Sequence, residues 1–184
     1  MKKQIVTHNR SLTEETEVLL NKQIGLEAES SSYYLSMASW CEKSGYATSA
    51  EFLYRHSEEE RMHMLKLFHY VNDAGGHAIN PDITGIRHEF KSLKEIFELI
   101  LSHEIAVTLA INEVVDHCMK IKDYTSFHFL QWFVIEQREE ETLARRALEL
   151  FDLIGEDGVG LWTIDAEIGN LENFVSNNQQ DASV

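Results

Sequence analysis

A single proline in 184 residues, Pro81, is the strongest constraint on this chain. Proline removes a backbone N–H and clashes with the preceding helical turn. Its near absence disfavours proline-rich, collagen-like and turn-dense all-β folds, and leaves room for long uninterrupted helices. Helical signals fill that room. The first helix is expected to start near Ser11, a possible cap with Glu14 completing a capping box, and to run to about Cys41 before Ser44-Gly45 ends it. A second is expected from about Thr48 to Ala74, stopping at Gly75-Gly76. A third starts at about Ser92, with Glu95 behind it as capping partner, and reaches Ile121. A fourth runs from about Tyr124 to Ile154. Each spans ~27–31 residues, or ~40–46 Å. Gly158 and Gly160 set off a short fifth helix, about 159–175, with Leu161, Ile164, Ile168, Leu171 and Phe174 or Val175 on one stripe. A polar tail, Ser176 to Val184, follows. Short turns make helices one and two, and three and four, antiparallel hairpins. The stretch from Gly75 to Lys91 can reach ~56 Å at ~3.3 Å per residue. It reads as a long crossover that leaves helices two and three parallel. The expected fold is all-α: residues 1–184 as one domain, a four-helix bundle at about 11–155 plus the fifth helix.

Charge narrows the function classes. Lys and Arg number 16 against 31 Asp and Glu, a formal net charge of −15. That excess argues against nucleic acid or an anionic membrane as the main partner and suits a solvated acidic surface, a cation ligand, or both. The most apolar stretch, Phe97 to Val115, carries Glu98, His103, Glu104 and Glu113, so no membrane span is expected. The start, Met1-Lys2-Lys3, has no apolar run behind it and does not read as a signal peptide. Cys41 and Cys118 form no Cys-x-x-Cys pair and read as reduced thiols of a cytoplasmic protein.

Stripes drawn at spacings of three and four carry the chemistry. They are Leu20, Ile24, Glu27, Ser31, Tyr34, Ala38 and Cys41; Leu53, His56, Glu60, His63, Leu67 and Val71; Leu93, Phe97, Ile100, Glu104, Val107, Ile111, Val114 and Cys118; and Leu130, Phe133, Gln137, Glu140, Ala144, Ala147 and Phe151. Each is apolar or small at its ends and holds a glutamate near its middle. A lone glutamate in such a stripe is ordinarily a surface residue at the seam. Four at mid-length are another matter, because burying ionised carboxylates costs several kcal/mol each unless positive charge joins them. No Lys or Arg lies on the stripes, so a metal ion is the simplest source of that charge. Carboxylates with one or two imidazoles suit iron or manganese. Glu60-x-x-His63 places both side chains one turn apart on one face. With Glu27, Glu104 and Glu140 it matches the ligand pattern described for di-metal carboxylate bundles.

At this point the sequence resembles a non-haem bacterial ferritin over nearly its whole length, from about Leu12 to Phe174. The resemblance is carried by Leu26-Glu27 with Tyr34, Arg55-His56 through Glu59-Glu60 to His63, His103-Glu104, and Phe129-Leu130-Gln131-Trp132 through Glu136-Gln137 to Glu139-Glu140. It implies a two-iron ferroxidase centre. Glu27, Glu60 and His63 would hold the first iron, and Glu60, Glu104 and Glu140 the second, with Gln137 beside the oxygen species. Glu59, Glu136, Glu139 and Glu140 match a third iron site. Tyr34 and Trp132 match aromatics near the centre. The implied activity is oxidation of Fe(II) by O₂ or peroxide and storage of Fe(III) as a mineral inside a homo-oligomeric, 24-subunit hollow shell. The fifth helix would pack about the fourfold axis. Bacterioferritins carry a second Glu-x-x-His where this chain has Gln137-x-x-Glu140. Their haem-ligating methionine would fall at Arg61, so no haem is expected.

Plainer readings stand beside these. His56, one turn from Glu60, reads as packing. Tyr34 reads as a buried tyrosine bonded to a carboxylate or as a redox participant, and Trp132 reads first as packing. Glu58, Glu59, Glu139 and Glu141 fit ordinary solvated helix charges. The bundle could also serve a non-storage iron or manganese oxidoreductase, or a helical interaction module.

Overall fold

The computed structural model describes residues 10–171. Within them lie α1 (Glu14–Ser44), α2 (Ala47–Asp73), α3 (Leu93–Ile121), α4 (Tyr124–Ile154) and α5 (Gly158–Ile168). The architecture is a four-helix bundle with a short fifth helix across one end. The expected residues Phe174 and Val175 and the polar tail lie outside the described residues.

The helix boundaries follow from caps. Thr13, rather than Ser11, caps α1: its side chain accepts from the Thr16 amide at 3.2 Å. Ser11 is exposed and two residues too early to meet the first free N–H groups. Gly45 closes α1 in the left-handed region, φ +89°, while the Tyr46 amide donates to the Cys41 carbonyl at 2.9 Å. Ser92 caps α3 as expected, accepting from the Glu95 amide at 3.1 Å. Asp123 caps α4 through the Ser126 amide at 3.0 Å. Gly158 and Gly160 lie inside the first turn of α5, not before it; Asp157 caps it by accepting from the Gly160 amide. A Cβ on Gly160 would collide with the Gly155 carbonyl, so that position tolerates only glycine. α5 ends at Ile168, a turn follows at Gly169 and Asn170, and the rest of the expected reach beyond Leu171 lies outside the described residues.

The crossover, 74–92, runs beside α1. Asn21 donates to the His77 carbonyl at 3.0 Å and accepts from the Ile79 amide at 2.7 Å. Further along, Ser36 donates to the Arg87 carbonyl at 2.6 Å. Arg87 then makes a two-pronged pair with Glu95 in the first turn of α3, both contacts 3.0 Å. From Asn21 to Ser36 is about 22 Å of helix at ~1.5 Å per residue. The chain therefore returns to the α1 C-terminal end before α3 starts, and α3 runs parallel to α2.

The apolar interior falls into two clusters. One gathers Met37, Ala38, Cys41, Phe52, Leu53, Phe97, Ile100, Ala144, Ala147 and Phe151 with Ile164 and Ile168 of α5. The other gathers Leu20, Ile24, Leu67, Val71, Val107, Ile111, Val114, Cys118, Leu130 and Phe133. On the four main helices all the stripe residues named from sequence are buried except Ser31, which is half-buried and donates to the Ser57 carbonyl of α2 at 2.7 Å; on the fifth, Ile164, Ile168 and Leu171 are buried and Leu161 is half-buried. The layer between the two clusters holds the glutamates.

α5 is fastened by a charge. Tyr46, the residue before α2, offers no side-chain cap. Asp165 of α5 takes that role: it accepts from the Ser49 amide at 2.8 Å, the Ser49 hydroxyl at 2.6 Å and the Thr48 amide at 3.3 Å. A carboxylate at a helix N-terminus also meets the positive end of the helix dipole. Asp165→Ala should cost about 2 kcal/mol, the range for hydrogen bonds to a charged group. Guanidine unfolding would measure it, and hydrogen exchange should quicken first in α5. Unaltered exchange there would refute the fastening role.

Candidate metal centre

The mid-bundle layer is built by four helices at matching heights. Glu27 comes from α1, His56, Glu60 and His63 from α2, Glu104 from α3, and Gln137 and Glu140 from α4; all are buried. Each sits in its helix as part of an apolar stripe, so packing of the two flanking clusters forces the polar side chains together.

Three groups draw donor atoms to within 4.8 Å of one another among the described residues: Glu27, Glu60 and His63; His56, Glu59 and Glu140; and Glu59, His63 and Glu136. The first is the set predicted for one ion. Its lone pairs are unsatisfied: Glu27 Oε2 and His63 Nδ1 are buried without a hydrogen-bond partner. His63 Nδ1 lies 3.3 Å from Glu60 Oε2. Buried acceptors are rarely left this way, and a shared cation would satisfy both atoms.

The remaining predicted residues are distributed differently. Glu104 stands outside the three groups and is held by protein donors. The Tyr34 hydroxyl donates to its Oε1 at 2.8 Å, and the Gln137 amide donates to its Oε2 at 3.1 Å and to its backbone carbonyl at 3.3 Å. Glu140 pairs with His56, whose Nδ1 lies 3.4 Å from Glu140 Oε2. Glu59 is exposed, while Glu136 and Glu139 are half-buried on the same side of the α2–α4 seam. Trp132 is 36% exposed and meets His63 edge-on, ring centroids 5.2 Å apart. His56 reads as packing from sequence. It does pack, against Phe52 at 4.1 Å and Tyr34 at 5.5 Å between ring centroids, but it also places its Nδ1 3.4 Å from Glu140 Oε2. Sequence reasoning missed Gln23, which is buried and donates to Glu27 Oε1 at 2.8 Å. The signal was available: Gln23 is one helical turn before Glu27 on the same face.

Electrostatics separate these carboxylates. Burial pushes Glu27 up, and burial with the charges of Glu27, Glu104 and Glu140 pushes Glu60 well up. Glu104 rises to about 8, by burial and the charge of Glu140, against the hydrogen bonds from Tyr34 and Gln137. Burial also lifts Glu140, but His56 and His63 outweigh it and hold the group below its ordinary value. Glu136 rises to about 7, through burial and the charges of Glu139, Glu59 and Glu140. Tyr34 is raised well above the usual phenol value by burial and by Glu104, so it stays a neutral donor.

A helical bundle that buries carboxylates and imidazoles around unsatisfied lone pairs is a metal-binding bundle. The match to known proteins is more specific. Residues 17–154 match the family model of the ferritin-like domain. A probable bacterial non-heme ferritin-like protein of Haemophilus influenzae is 46% identical over 87% of this chain and 97% of its own. A bacterial non-heme ferritin of Campylobacter jejuni is 41% identical over 87% of this chain and 96% of its own. Among solved structures, an open-pore ferritin from Archaeoglobus fulgidus superposes with a TM-score of 0.84 at 36% identity, covering 86% of this chain and 98% of that one. The chain belongs to the ferritin-like family.

A stability prediction follows from the raised carboxyls. A group whose folded-state pKa lies above its unfolded value stabilises the fold below the unfolded pKa, and that contribution is lost as pH rises through the folded pKa. Glu27, Glu60, Glu104 and Glu136 share that sign; Glu140 has the opposite one, lost as pH falls. Metal-free protein should therefore melt at progressively lower temperature from pH 5 to above pH 8. Zn(II), which replaces the protons, should restore more stability at pH 8 than at pH 5. Melting curves on chelator-treated protein decide it, and a flat or rising profile would contradict the protonation pattern.

Proposed function

We propose that the chain oxidises Fe(II) in the mid-bundle layer and passes Fe(III) to a mineral inside a hollow shell of its own copies. Iron storage itself follows from membership of the ferritin-like family and from the bacterial non-heme ferritin relatives. The observation that supports the oxidising site most directly is the convergence of Glu27, Glu60 and His63 with buried, unsatisfied donor atoms.

In this reading Fe(II) is the substrate. Glu27, Glu60 and His63 bind one ion. Glu60 is shared with a second, held also by Glu104 and Glu140. Binding displaces the protons that burial keeps on Glu27, Glu60 and Glu104. Two Fe(II) ions each give up one electron; O₂ takes both with two protons and leaves as H₂O₂, or H₂O₂ takes both with two protons and leaves as two waters. Hard, anionic oxygen donors favour Fe(III) over Fe(II), which helps drive the oxidation. The Tyr34 hydroxyl and the Gln137 amide fix the Glu104 carboxylate, and the Gln23 amide fixes Glu27. Glu59, Glu136 and Glu139, on the more open side, offer a third position through which iron leaves the layer. The fifth helix exposes Val159 and Trp162, 76% and 74% accessible, as surfaces for contact with other copies. No helix among the described residues is long and apolar enough to cross a membrane. The two free, buried cysteines, Cys41 and Cys118, support a cytoplasmic location.

The first test is aerobic addition of Fe(II) to metal-free protein, followed by size-exclusion with iron counted per chain. Storage predicts tens of Fe(III) per chain in a soluble particle near 500 kDa, as for a 24-mer of 21.2 kDa chains. Two irons or fewer per chain in a small oligomer would instead mark a di-metal oxidoreductase.

The layer is tested by substitution. Glu60→Ala and His63→Ala should leave assembly intact, because the flanking apolar clusters survive, and should slow initial Fe(II) oxidation at least tenfold, as loss of about 1.4 kcal/mol of binding would do. Stopped-flow absorbance gives the rate. Wild-type rates in both variants would remove these residues from the site.

A further inference from the structure

The α2–α4 face outside the buried layer carries a cation that the oxidation chemistry does not use. Lys66 lies one turn after His63 on α2, and its Nζ sits 3.7 Å above the centroid of the Trp132 ring. The same indole meets His63 edge-on at 5.2 Å. Trp132 is in turn one helical turn before Glu136 on α4. One aromatic ring thus seats the Lys66 ammonium at the rim of the group formed by Glu59, His63 and Glu136.

That seat has electrostatic consequences. Carboxylates crowd the rim: burial and the charges of Glu139, Glu59 and Glu140 raise Glu136, and Lys66 is the charge that opposes them. A lysine serving only solubility swings freely in solvent. A lysine held over an indole keeps its charge in one place. Any divalent ion arriving between Glu59, His63 and Glu136 meets a fixed like charge close by.

We propose that Lys66 is a resident counter-cation for the Glu59–His63–Glu136 group, keeping that group's affinity for divalent metal low so that iron crosses it rather than resting there. The proposal rests on the reading that this bundle handles iron. It makes Lys66 a positioning residue that acts through charge and touches no iron. Between a unit charge and a divalent ion near one Debye length apart at a solvated rim, the expected effect is about three- to tenfold in affinity.

The test is anaerobic calorimetric titration of Zn(II) into the metal-free, assembled, full-length protein, for wild type, Lys66→Met and Lys66→Arg. Zn(II) is redox-inert, so binding is read without turnover. Lys66→Met should tighten the weaker class three- to tenfold and change the tight class of the buried layer, which shares His63, by less. Lys66→Arg, which keeps the charge and the ring contact, should bind as wild type does. The Met effect should shrink as salt is raised, which a packing role would not produce. Superimposable wild-type and Lys66→Met isotherms, or tightening independent of salt, would overturn the proposal. A wild-type protein that takes up no Zn(II) at all would overturn the iron reading itself, a separate result.

Discussion

Burial of carboxylates with no lysine or arginine on their stripes is the constraint on which the rest of this structure depends. Glu27, Glu60, Glu104 and Glu140 lie at 0%, 1%, 0% and 4% exposure. An ionised carboxylate taken out of water costs several kcal/mol unless charge or protons meet it. Without metal, the chain meets that cost in two ways. Glu140 stays ionised beside His56, and Glu27, Glu60 and Glu104 are pushed toward their protonated forms. Protons occupy the role that a divalent cation would take, and they leave when it arrives. On the proposed reading, the layer is a site made ready at the expense of apo-state stability.

Such a layer holds together only because the helices on either side are committed by other interactions. Each main helix contributes apolar residues to both clusters, above and below the glutamates. Slipping one helix by a turn to expose its carboxylate would unseat both sets of contacts. The ends are tied separately. Asn21, Ser36 and Arg87 bind the crossover along α1 and onto α3, and Asp165 joins α5 to the start of α2. Directional bonds are placed where the apolar contacts are fewest, at the connections.

Much of this was legible in the sequence because helical periodicity is a strong signal over ~30 residues. Nearly every residue on the four stripes is buried, although the buried faces are wider than the stripes and also take in Gln23, Met37, Phe52 and Met64, and the seventeen-residue reach of 75–91 predicted the crossover. Local chemistry at helix starts was harder. Ser11 and Thr13 are both competent caps, and only the backbone path decides that Thr13 meets the Thr16 amide. The glycines of 158 and 160 read as breakers, yet Asp157 caps a helix that includes them. The set Glu27, Glu60 and His63 was legible because all three lie on stripe positions facing one seam. The finer partition was not. That Glu104 turns to Tyr34 and Gln137, and that His56 rather than Glu60 stands beside Glu140, depends on rotamers, which spacing does not encode.

The two imidazoles divide the layer into unlike halves. His63 shares its end with Glu60 and Glu27, whose acids are raised, so that half approaches neutrality through protons and keeps lone pairs in reserve. His56 shares its end with Glu140, whose carboxyl is held below its ordinary value by the two imidazoles, so that half keeps its carboxylate ionised. A divalent ion entering the first half displaces protons, whereas one entering the second must compete with an existing imidazole contact. Occupancy of the halves should then depend on pH to different degrees. The Glu27 half gains affinity as pH rises and its acids release protons, and the Glu140 half already holds its carboxylate ready. An unequal pair of sites needs no difference in ligand number; the placement of two histidines on opposite sides of Glu60 along α2 produces it.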